Sequence, residues 1–91
     1  MKWFVYLLRC SDDSLYCGIT NNLEKRIETH NKRKGAKYTK GRLPVVLIKS
    51  FEVDNKSCAL RIELKIKSLP REDKLKFSLS DYDCTQEKSI P

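Results

Sequence analysis

Residues 3–19, WFVYLLRCSDDSLYCGI, set two short apolar runs around a polar turn, and their reading decides the fold. WFVYLLR at 3–9 mixes aromatic and β-branched side chains over strand length, SDDS at 11–14 supplies turn chemistry, and LYCGI at 15–19 returns as a second strand. An antiparallel hairpin is expected. Joining its strands through so short a turn brings Tyr6 and Tyr16 close in space.

Downstream of the hairpin, Asn21 followed three positions later by Glu24 is a variant of the capping box. It opens a helix to about Lys32, with Leu23 and Ile27 on the buried face. Gly35 and Gly41 bracket a polar loop. Pro44 leads into VVLIKSFEV, a continuous apolar run that can pair with the hairpin as a third strand. Asp54 can cap a helix at about 56–68, and Pro70 suits the first turn of a short third helix. The order ββαβαα predicts an α+β domain over residues 1–80, a three-stranded antiparallel sheet flanked by helices, with 81–91 as a loosely ordered tail.

Ninety-one residues fit one compact domain, so any catalysis and any substrate binding must share one surface. No stretch approaches the roughly eighteen apolar residues needed to cross a bilayer, and the run at 3–8 lacks the length and flanks of a signal peptide, so a cytoplasmic protein away from membranes is expected. Cys10, Cys17, Cys58 and Cys84 are scattered and His30 is the single histidine, which argues against a structural zinc site and for reduced thiols. The net charge is +7, and Met1–Leu69 holds fifteen basic against seven acidic side chains. A folded body with that positive field favours a polyanionic partner, nucleic acid first.

Five residues stand out for chemistry. Glu63 falls inside the apolar arc defined by Ala59, Ile62 and Ile66, where a carboxylate is costly unless it meets a cation, a metal or good donors. The ordinary alternative is an i,i+4 pair with Lys67. Arg26 and His30 lie beside Leu23 and Ile27 and are aimed toward the sheet edge, where they act either as packing residues or as site groups. Tyr6 and Tyr16 are strand aromatics whose phenols pack, or position water if a cation lowers their pKa. Between Asn31 and Arg42 lie Lys32, Arg33, Lys34, Lys37, Lys40 and Arg42 with no acid among them, read as a phosphate-tracking loop or as a solvated one.

Taken together, these residues resemble the GIY-YIG nucleases. The first motif stands here as Phe4-Val5-Tyr6 and the second as Tyr16-Cys17-Gly18; Arg26 follows ten residues after Tyr16, then His30 one helical turn later, then Glu63 on the second predicted helix. The resemblance covers about residues 3–77, and GAKYTKGRLPV at 35–45 is similar to the small stand-alone bacterial branch. Cys17 and Phe4 depart from the named motifs, and an asparagine of some relatives is absent at Leu75 and Lys76.

The resemblance implies a metal-dependent endonuclease cutting phosphodiester bonds, DNA before RNA and with low sequence specificity, in repair or recombination. It implies one divalent cation, Mg²⁺ or Mn²⁺, on Glu63, with Tyr6 activating water, Tyr16 positioning water or phosphate, Arg26 neutralising phosphoryl charge and His30 setting protonation. A protein partner could supply specificity. The alternative is a nucleic-acid-binding module that keeps the fold without cutting.

Overall fold

The computed structural model describes residues 2–79. Its elements are β1 (Trp3–Arg9), β2 (Leu15–Thr20), α1 (Leu23–Asn31), α2 (Lys37–Lys40), β3 (Val46–Val53), α3 (Lys56–Lys67) and α4 (Arg71–Lys76). The expected hairpin, third strand and helices are present. A single-turn helix, α2, is added inside the segment that composition reads as a polar loop. The expected loose tail at 81–91 lies outside the described residues.

The sheet runs β2-β1-β3, antiparallel throughout. β1 is therefore the central strand, and its residues Val5, Tyr6, Leu7 and Leu8 are all buried because helices or loops cover both faces. Alternation along β1 sends Val5 and Leu7 into a cluster with Cys17, Ala59, Ile62, Ile66 and Phe77, on the α3 side. Tyr6 and Leu8 go to the other side, with Cys10 and Val45 and the flanking Leu23 and Ile27 of α1.

β3 differs from its reading as a continuous apolar run. It alternates, with Val46 at 52% and Ile48 at 36% exposure, because it is an edge strand. A register shift sets Leu8 opposite Leu47 but Leu7 opposite Lys49. The extra residue lets Leu47 serve the Tyr6 side while Phe51 and Val53 serve the α3 side.

Both helix caps fall one residue later than expected. Asn22, not Asn21, accepts from the Lys25 amide at 3.2 Å, and Asn55, not Asp54, accepts from the Cys58 amide at 2.8 Å. Adjacent Asn and Asp residues offer near-equal capping chemistry, so only backbone geometry chooses, and Asp54 is drawn instead to Lys2 at 2.7 Å. Each cap contributes about 1 kcal/mol.

Cys10 and Cys17 are free and buried. Cys58, expected as a thiol, is disulfide-bonded; spacing in sequence says nothing of which Cα atoms meet. Cys84 lies outside the described residues. No helix among the described residues is long and apolar enough to cross a membrane.

Candidate active site

The hairpin register places the two phenols. Tyr6 lies opposite Gly18 and Leu8 opposite Tyr16, so Tyr6 and Tyr16 are diagonal neighbours on one face, with ring centroids 6.3 Å apart. Gly18 makes room for this. A Cβ there would lie 2.5 Å from the Tyr6 hydroxyl oxygen and 2.6 Å from its Cζ. The glycine of the second motif is thus the seat of the tyrosine of the first.

α1 crosses above this face and presents Arg26 and His30 one turn apart. Arg26 Nε donates to the Tyr6 hydroxyl at 3.3 Å, and the Tyr6 hydroxyl lies 3.0 Å from His30 Nε2. Tyr16 packs edge-on against His30 with centroids 5.4 Å apart. His30 is fully buried, and its Nδ1 lies 2.8 Å from the hydroxyl of Thr39, which is fully buried too.

The segment after α1 folds over the site. Arg33 sits at φ 65, and the amides of Arg33 and Lys34 bond back to the carbonyls of His30 and Thr29, the Schellman pattern of a helix end. Gly35 follows, where a Cβ would lie 2.3 Å from His30 Nδ1 and 2.9 Å from its Cα. α2 then seats Thr39 against His30 and stacks Tyr38 on Tyr16, with ring centroids 5.8 Å apart. Asn31 grips both backbone groups of Val45, accepting from its amide at 2.8 Å and donating to its carbonyl at 3.3 Å, so the segment is tied at its stem as well.

Burial has electrostatic consequences. It pushes the Tyr6 phenol above its ordinary value, against the pull of the Arg26 hydrogen bond. It holds His30 below the usual histidine range, and the nearby Arg26 charge acts the same way. Arg26 is raised by its bond to Tyr6, with Tyr16 contributing, so it stays a fixed cation between the two phenols. The Cys17 thiol is pushed up to about 12 by burial and then by Glu63, which makes it a packing group rather than a nucleophile.

Tyr6, Tyr16, Arg26 and His30 therefore converge in one cluster. Glu63 does not bond to it. It stands on the α3 side, close enough to Cys17 to raise its pKa, and pairs with Lys67 at 3.3 Å. Cys17 lies between Tyr16 and Gly18 on β2, the edge strand, so carboxylate and phenols flank the same three residues from opposite faces. The Glu63 side chain is 15% exposed and its lysine partner 50% exposed, so the pair lies at the edge of the core with its lysine end in solvent.

Among the described residues no three His, Cys, Asp or Glu side chains converge as a metal cage. The carboxylate of Glu63, paired with Lys67, is the kind of oxygen ligand a hard divalent cation takes, since such a cation can keep most of its waters and be held through one or two carboxylates and a phosphate.

Of the six basic residues in 31–42, Lys32 pairs with Glu28 and Arg42 pairs with Asp12 at 2.9 Å. Arg42 also donates to the Tyr38 carbonyl at 2.7 Å and lies over the Tyr38 ring. Arg33, Lys34, Lys37 and Lys40 are exposed and make no ion pair among the described residues. Arg26 borders a shallow hollow of about 220 Å³ lined by Thr20, Asn21, Asn22, Lys25 and Thr29. Thr39 and Tyr38 are the site contacts that sequence reasoning missed: a single helical turn has no periodicity to betray its buried face.

The family model for the GIY-YIG catalytic domain matches residues 2–76. A UPF0213 protein of Lactococcus lactis, YsiG, is 52% identical over 90 residues, covering 98% of this chain and 85% of its own. A UPF0213 protein of Haloquadratum walsbyi is 45% identical over 83 residues, covering 91% and 93%. The solution structure of a UPF0213 protein of Bacillus halodurans superposes with a TM-score of 0.55 at 37% identity, covering 99% of this chain and 95% of that one.

Proposed function

This chain belongs to the GIY-YIG catalytic domain family, and from that premise we propose that it is a metal-dependent endonuclease hydrolysing nucleic-acid phosphodiester bonds. The observation that carries the reading is the buried contact between the Tyr6 hydroxyl and His30 Nε2, with Arg26 on the same oxygen. Most strand tyrosines need no such company. A phenol between a fixed cation and a neutral imidazole can take a proton from water while passing its own to the imidazole, which sidesteps a free phenolate in a buried site.

In this reading Tyr6 is the base and His30 its proton acceptor. Tyr16, the less buried phenol, positions water or phosphate. Arg26 neutralises charge developing on the phosphoryl oxygens, reached from the hollow beside Lys25. Tyr6 is only 1% exposed, so attack requires Arg26 to be drawn toward phosphate and uncover the phenol. Glu63 would hold one divalent cation, Mg²⁺ or Mn²⁺, which supplies Lewis-acid charge to the phosphate.

Arg33, Lys34, Lys37 and Lys40 are the phosphate contacts. Lys32 and Arg42 join them less directly, being engaged with Glu28 and Asp12. In this reading the substrate is recognised by shape rather than by sequence, and DNA is placed before RNA by family analogy alone.

The test is cleavage of labelled single-stranded, duplex and branched DNA and RNA with Mg²⁺, Mn²⁺ or chelator, comparing wild type with Glu63→Gln. Metal-dependent cutting that Glu63→Gln abolishes, with affinity retained, is expected. Binding without cutting under every condition would establish the module that holds nucleic acid without cleaving it.

A further inference from the structure

The geometry points to Thr39 as a positioning residue that fixes the tautomer of His30 and so decides which way the Tyr6 proton moves. This deepens the nuclease reading of the same site, and it begins from a count of protons. Arg26 Nε can only donate, so the Tyr6 oxygen is an acceptor toward it. The phenol proton then needs its own acceptor, and His30 Nε2 at 3.0 Å is the one among the described residues. An imidazole that accepts at Nε2 carries its proton on Nδ1. Nδ1 then donates to the Thr39 hydroxyl oxygen, 2.8 Å away, and the Thr39 hydroxyl in turn donates to the Ala36 carbonyl at 2.9 Å.

Every proton in the chain from Arg26 to Ala36 thus has an acceptor when all bonds run in one direction. The reverse tautomer fails this count. With the proton on Nε2, the Tyr6 oxygen would accept from both Arg26 and His30, leaving its own proton unpartnered in a residue that is 1% exposed. Thr39 is fully buried and rides on α2 between the exposed Lys37 and Lys40, so the segment proposed to meet phosphate also carries the group that orients the imidazole. In the reaction, water loses a proton to the Tyr6 oxygen, the phenol proton passes to Nε2, and the imidazolium that forms keeps Nδ1–H on Thr39.

His30 is the only histidine in the chain, so the imidazole nitrogens of ¹⁵N-labelled protein report its tautomer without ambiguity. At a pH where the ring is neutral, wild type and Thr39→Ser are expected to carry the proton on Nδ1. Thr39→Val, which keeps the shape and removes the hydroxyl, is expected to shift it toward Nε2. Cleavage by Thr39→Val should fall about 10- to 100-fold at unchanged nucleic-acid affinity, with Thr39→Ser retaining activity. A wild-type ring protonated on Nε2 would overturn the inference whatever happens to Thr39→Val, including a failure to fold. So would a folded Thr39→Val with an unchanged tautomer. The spectra need no substrate, so an Nδ1–H ring in a protein that cuts nothing upholds the role of Thr39 in the tautomer and removes only the nuclease reading.

Discussion

The two faces of the sheet are built from alternate residues of the same strand and are held by different physics. Toward α3, Val5 and Leu7 meet Ala59, Ile62, Ile66 and Phe77, an apolar cluster held by burial alone. Toward α1 and α2, Tyr6 meets His30, and beyond it Thr39, so beside the apolar Leu8 that side buries three polar groups joined by hydrogen bonds. Burial without direction tolerates exchange of similar volumes, whereas a buried polar chain tolerates nothing that leaves a donor or acceptor unmet. The first face holds the domain together, and the second is the one to which the proposed cleavage chemistry is assigned.

The widest separation between the faces should come from one substitution on each. Tyr6→Phe removes the hydroxyl from the polar chain and is expected to lower the cleavage rate by about 10²- to 10⁴-fold, at a stability cost of about 1–3 kcal/mol for the stranded His30 acceptor. Ile62→Ala on the other face is expected to cost about 2–5 kcal/mol in urea unfolding, with the cleavage rate per folded molecule unchanged. Equal losses of rate in both would show that the faces are not separable.

A smaller effect tests how tightly the polar side is packed. Gly35→Ala puts a methyl 2.3 Å from His30 Nδ1 with the His30 Cα at 2.9 Å behind it, so backbone must shift. An overpacking cost of about 1–3 kcal/mol is expected, together with reduced cleavage. Gly41→Ala is the control, since nothing lies within 4 Å of a Cβ there. Indistinguishable melting curves for the two variants would remove the role given to Gly35.

The apolar face was the more legible of the two in the sequence. Ala59, Ile62 and Ile66 recur at helical spacing, and β-type runs with a turn between them gave the hairpin and hence the Tyr6–Tyr16 approach. The spacing also placed Arg26 and His30 at the sheet. What the sequence could not carry was the path of residues 32–45. A run so rich in lysine and arginine reads as a polar loop, phosphate-tracking or else solvated, yet Thr39 is fully buried and Tyr38 stacks on Tyr16, because a single helical turn buries one side chain without leaving a period. The charge count likewise hid the fact that Arg42 is bound to Asp12, thirty residues away.

The faces should also part in their response to pH. Burial, with Arg26 beside it, holds folded His30 below its ordinary value, while in the unfolded chain it titrates near 6.5. Between those two values the unfolded state binds more protons, so stability rises with pH there: it is fully present above about 6.5 and is lost as pH falls toward the folded value. Cleavage per folded molecule should fall only at lower pH, as the folded ring itself takes up a proton, since a protonated Nε2 cannot accept from Tyr6. The slope of the urea midpoint between pH 7.5 and about 5.5 should flatten in His30→Gln, and a slope that persists would assign the effect elsewhere.

The smallest effect concerns the end of α1, where Arg33 holds the left-handed conformation that favours glycine. That backbone costs a non-glycine residue about 1–2 kcal/mol, and glycine returns part of the gain through its greater freedom when unfolded. Arg33→Gly is therefore expected to stabilise the domain by about 0.5–1 kcal/mol, whereas Arg33→Ala keeps the strain and gains nothing. If Arg33 is a phosphate contact, both variants should weaken nucleic-acid binding alike and reduce its salt slope by about one. Stability and affinity would then move in opposite directions in the glycine variant only. That pattern would mean that this helix end accepts backbone strain to keep a cation beside the polar face, and unchanged affinity in both variants would mean that the arginine is there for no such reason.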